Sequence, residues 1–115
     1  PSIFSHEAHL RLAWIYIKNL GVENAVVRIS EGLKKYVKQI GAENKFNLTL
    51  TIAATRAVYH FMRKTTASDF QVFIEQYPQL KTRFRDLMAS HYSADIFSDS
   101  DVKKSYLEPD LLPFD

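Results

Sequence analysis

The chain has 115 residues, 46% of them apolar and 13% aromatic, which suffices to bury one core and leaves no room for two ordinary domains. It has no cysteine, which excludes disulfides, thiolate catalysis, Cys-ligated zinc and iron–sulfur clusters. The net charge of +2 divides into +6 over residues 1–91 and −4 over residues 92–115, so a mildly basic body ends in an acidic tail. The longest apolar stretch, Leu10 to Ile17, contains Arg11 and is followed by Lys18, far short of the ~20 residues of a membrane span. No signal-peptide pattern is found, and with no cysteine to oxidise the expected location is a reducing cytoplasm.

In chain order, Ser5 is a good N-cap, and the apolar stripe Leu10, Ala13, Ile17 and Leu20 follows at helical spacing. A first helix is expected from Ser5 to about Leu20, ended by Gly21 in a left-handed conformation. Trp14 flanks this stripe and is expected to be buried with its indole N–H hydrogen-bonded. A second helix runs from about Val22 to Ile40, with Ala25, Ile29, Leu33, Tyr36 and Ile40 on one face and Gly41 after it. Gly32 inside that face costs ~1 kcal/mol relative to Ala unless it permits a close helix contact. A polar loop, Ala42 to Lys45, leads to a third helix from about Asn47 to Lys64, whose Ala53, Ala54, Ala57 and Val58 suit close packing.

Ser68 and Gln71 have the spacing of a capping box for a short fourth helix bearing Phe70, Phe73, Ile74 and Tyr77. Pro78 opens a fifth, which presents Leu80, Phe84, Leu87, Met88 and His91. Beyond Ser93 only a short helical piece through Tyr106 is expected, and then an extended, proline-punctuated end. No strand or internal repeat is evident. The sequence predicts an all-α single domain over residues 1–115: an up-and-down bundle of four to five helices with an extended acidic C-terminal tail, residues 107–115, packed on it.

The sharpest chemical feature is His6-Glu7-Ala8-His9. Histidines at i and i+3 project from one side of the first helical turn and could share a ligand, although a metal would need more donors than these two. His6 and His9 are the only candidate metal ligands. Asn47 opens the third helix, where free N–H groups and the helix dipole favour anions; as an N-cap it needs no ligand. If the first and third helices start at the same end of the bundle, His6, His9 and Asn47 converge into a ligand site, or else bond one another and tie the helix ends together. His60 and His91 read as structural. The three glycines form no phosphate-binding loop, and no serine stands in a nucleophile elbow.

The segments Phe4 to Leu10, Ala13 to Tyr16, Lys45 to Thr51 and Glu108 to Pro113 resemble a family of small bacterial all-helical proteins without an assigned activity. In that family the position of Asn47 is often His, which implies a His-x-x-His plus His constellation. This sequence departs there, and an amide is a poor zinc ligand. The resemblance implies the fold and a bacterial origin, and no reaction or cofactor.

Three functions follow as expectations. The first is action through protein–protein contacts or self-association as a homodimer. The second is binding of a small polar ligand or metal, or catalysis, at His6, His9 and Asn47. The third is weak nucleic-acid binding by basic helix faces carrying Arg28, Lys34, Lys35, Lys38, Arg56, Arg63, Lys64, Lys81, Arg83 and Arg85. Glu23, Glu31 and Glu75 interleave those cations, which makes a solvated mixed face the simpler reading.

Overall fold

The computed structural model describes residues 5–114. Phe4, which opens the first of the family-like motifs, and Asp115, the last charge of the acidic tail, lie outside them. The described residues are all-helical, with no strand: α1 (His6–Leu20), α2 (Val22–Gln39), α3 (Leu48–Met62), α4 (Phe70–Gln76), α5 (Gln79–Thr82) and α6 (Phe84–His91). Two 3₁₀ turns, Glu43–Lys45 and Ser100–Lys103, precede α3 and follow α6. No helix among these residues is long and apolar enough to cross a membrane.

Local chemistry explains most of the boundaries. Ser5 caps α1, its Oγ accepting from the Ala8 N–H at 3.1 Å. Gly21, at φ +83°, takes the chain from α1 into α2 through a conformation that L side chains rarely adopt. Asn47 caps α3 through the Leu50 N–H at 2.9 Å. Two expectations need correction here. The cap of α4 is Asp69, whose Oδ1 accepts from the Val72 N–H at 2.9 Å, and not Ser68; Gln71 instead donates to Glu75 one turn on. The helix expected after Pro78 is divided at Arg83, whose φ −132° and ψ 34° are not helical, so α5 is a single turn and α6 starts afresh.

Helices α1, α2 and α3 pack against one another, α5 against α1, and the Ser100–Lys103 turn against α3. The core runs from Leu10, Ala13, Trp14 and Ile17 of α1 through Ala53, Ala57 and Val58 of α3 to Phe73, Leu80 and Met88. Trp14 is buried between Phe73, at 4.6 Å between ring centres, and Phe70, at 6.5 Å, with the Lys18 ammonium 4.7 Å over its ring. No protein acceptor for its indole N–H is found among the described residues, and that nitrogen keeps contact with solvent. Gly32 permits no close helix approach: it is exposed, and a Cβ placed on it meets nothing within 4 Å.

The last segment is stitched to the helices by long-range hydrogen bonds. The Thr49 hydroxyl donates to the Ser105 carbonyl at 3.1 Å and accepts from the Leu107 N–H at 3.0 Å. The Tyr92 hydroxyl donates to the Leu107 carbonyl at 2.9 Å. Asp110 accepts from both the N–H and the hydroxyl of Ser93. Phe114, 7% exposed, stacks on His91 at 4.1 Å. Leu111 and Leu112 between them stay exposed.

Candidate functional site

His6 is the first residue of α1, and its Nε2 donates to the Leu80 carbonyl at 2.8 Å while its ring lies 4.5 Å from that of Phe84. The imidazole thus ties the start of α1 to α5 and α6. One turn further, His9 keeps part of its surface exposed, but its Nε2 is enclosed. Burial, with the neighbouring His6 charge as the second cause, pushes its pKa down to about 4. At neutral pH it is an uncharged imidazole beside His6.

Asn47 is 8% exposed, with its carboxamide occupied at both ends. Oδ1 caps α3, and Nδ2 donates to the Ile96 carbonyl at 2.7 Å. The starts of α1 and α3 are linked through rings: His6 lies on Phe84, Phe84 meets Phe97 edge-on at 6.0 Å, and Phe97 follows the Ile96 that Asn47 holds. No hydrogen bond joins His6 to Asn47 directly among the described residues. Nor do those residues contain a group of three or more His, Cys, Asp or Glu side chains suited to a metal ion.

The other two histidines hold the C-terminal segment. His91, 3% exposed, donates from Nδ1 to the Leu112 carbonyl at 2.6 Å. His60 donates from Nδ1 to the Phe114 carbonyl at 3.2 Å. Burial, then the Lys64 charge, lowers the His60 pKa.

A further feature escaped the sequence reading. A groove of about 700 Å³ opens between α2, the Glu43–Lys45 turn, the start of α3 and the Ser100–Lys103 turn. Its apolar lining includes Val37, Phe46 and Leu48, and its rim carries Lys34, Lys38, Lys103 and Lys104 against Glu31 and Glu43. That size falls within the range of ligand-binding clefts, roughly 300–1,000 Å³. The surface ion pairs among the described residues join other charges: Arg56 with Glu23, Lys81 with Glu7, Arg83 with Asp86 and Arg85 with Asp95. Among the described residues, none of the six charged groups around the groove is in an ion pair. Half the signal was in the sequence, since Lys34 and Lys38 stand at i and i+4 on one helix face. Lys103 and Lys104 come from the acidic tail region, and only the fold brings them alongside.

The fold and this groove define an all-helical protein with an apolar cleft under a lysine rim. No family model matches the chain, and no significant match is found among curated proteins or solved structures.

Proposed function

We propose that the chain is an up-and-down helical bundle with an acidic tail, related to the small bacterial helical proteins its motifs resemble, and that it works by docking a partner protein. The cysteine-free composition suits a reducing cytoplasm. The single observation that carries the docking role is the groove: apolar side chains of Val37, Phe46 and Leu48 exposed to a cleft under a rim of charges that, among the described residues, are in no ion pair. Such a composition, an apolar centre inside a charged border, is that of a protein-contact surface. The test is photo-cross-linking. A photoreactive side chain in place of Lys38 should trap a discrete partner, and Phe46→Ala should abolish the adduct with the helical circular dichroism unchanged. Equal labelling from the exposed Lys64 position, or an adduct that survives Phe46→Ala, would overturn the docking role.

A second reading places a small polar ligand or a metal ion at His6, His9 and Asn47. Its support is the lowered pKa of His9, which leaves an uncharged imidazole next to a second one. Titration of the protein and of His9→Ala with divalent metals distinguishes the two. Saturable binding lost in the variant would favour the metal form of this reading, and no metal binding by either protein would remove that form.

A further inference from the structure

We infer that the partner presents to the groove an acidic amphipathic segment, its apolar side chains lodged on Val37, Phe46 and Leu48 and its carboxylates on Lys34, Lys38, Lys103 and Lys104. This rests on the reading that the groove docks a protein, and it specifies the chemistry of what is docked.

Charge complementarity selects the occupant. Four lysines and two glutamates line one cleft, and among the described residues no ion pair neutralises any of them. The excess is two positive charges, contributed by two separate elements of the lining. Lys34 and Lys38 stand on successive turns of α2, and Lys103 and Lys104 at the end of the second 3₁₀ turn. A fatty acid or other monoanionic amphiphile fills the apolar part but neutralises only one charge. A nucleic acid meets the lysines through its phosphates and leaves the apolar lining uncovered. A protein segment with two or more carboxylates beside an apolar stripe satisfies both. The wall also contains Ser30, whose enclosed hydroxyl has no hydrogen-bond partner among the described residues.

The chain's own acidic segment has the matching chemistry, Glu108 and Asp110 beside Leu111 and Leu112, but it is held elsewhere. Ser93 binds Asp110, His91 binds the Leu112 carbonyl and His60 the Phe114 carbonyl. The occupant is therefore a different protein.

The probe is a short, fluorescently labelled helical peptide with a leucine stripe flanked by glutamates, compared with its counterpart carrying lysine for every glutamate and with oleate. The acidic peptide should bind and weaken with added salt, and Lys34→Glu with Lys38→Glu should reduce its affinity by about 10-fold. Phe46→Ala should do the same, and Lys64→Glu should not. Equal binding of the lysine peptide, binding of oleate alone, or no binding of the acidic peptide overturns the inference. So does concentration-dependent self-association lost in Glu108→Gln with Asp110→Asn, which makes a second copy the occupant. If the cross-link from position 38 still depends on Phe46 while the acidic peptide fails, the docking role stands and only the acidic chemistry falls. If the cross-link is indifferent to Phe46, the docking role itself falls.

Discussion

Asn47 does two jobs with one carboxamide, capping α3 and holding the Ile96 carbonyl. Asn47→Ala removes both and strands a buried acceptor, so it should cost about 2–3 kcal/mol in urea unfolding. Asn47→Ser keeps a capping oxygen and loses the donor to Ile96 without placing a charge there, and a distinctly smaller loss is expected. Equal losses would show that the cap contributes nothing. His9 governs a different dependence. Its folded pKa of about 4 lies below the ordinary 6.5, so between those values the unfolded chain binds a proton that the folded chain excludes. The stability this represents is complete above pH 6.5 and is lost as the pH falls towards 4, by ~3 kcal/mol. His60, lowered mainly by its burial, acts in the same direction. Unfolding measured across this range should flatten in His9→Gln. Further loss at lower pH should persist, because Glu7 is held below the usual range by its bond to Lys81, Asp95 by Ser98 and Asp110 by Ser93. A slope unchanged in His9→Gln would place the acid sensitivity elsewhere.

Among the elements, α2 carries a flaw that packing does not explain. Gly32 has no neighbour within 4 Å of where its Cβ would stand and keeps a helical backbone. Gly32→Ala should therefore stabilise the protein by about 0.5–1 kcal/mol, read as a raised melting temperature; a lower one would mean that the free volume is needed in motion. The first three helices were legible because their ends carry chemistry: Ser5, Gly21, Gly41 and Asn47 are strong local punctuation. The break at Arg83 was not, since neither glycine nor proline marks it. The cap of α4 was misread by one residue because Ser68 and Asp69 are both good caps. The candidate sites were legible in the same partial way. The shared face of His6 and His9, and the capping role of Asn47, follow from spacing. Their acceptors, the carbonyls of Leu80 and Ile96, have no side-chain signature that a sequence could announce. Buried threonines at 49, 51 and 55 gave no warning either, because the hydroxyls of the latter two bond back to their own helix while Thr49 reaches across to Ser105.

For the molecule as a whole, the C-terminal segment is a component of the core through Phe114. Phe114→Ala should cost about 3 kcal/mol by emptying its contacts with His91 and Tyr92. Limited proteolysis should then cleave beyond Tyr106 in the variant and spare the native chain; identical digestion patterns would count against this role. One consequence concerns the order in which the molecule can be made. Asn47 reaches a carbonyl 49 residues later, and Thr49 bonds residues 56 and 58 positions away. Contacts so distant along the chain form late, after the local helix pairs have closed their shorter loops. On a ribosome, α1, α2 and most of α3 emerge well before Ser105 and Leu107 exist to receive Thr49. The nascent protein must therefore carry an unfinished face of α3 until Ser105 and Leu107 have been made and have left the ribosome.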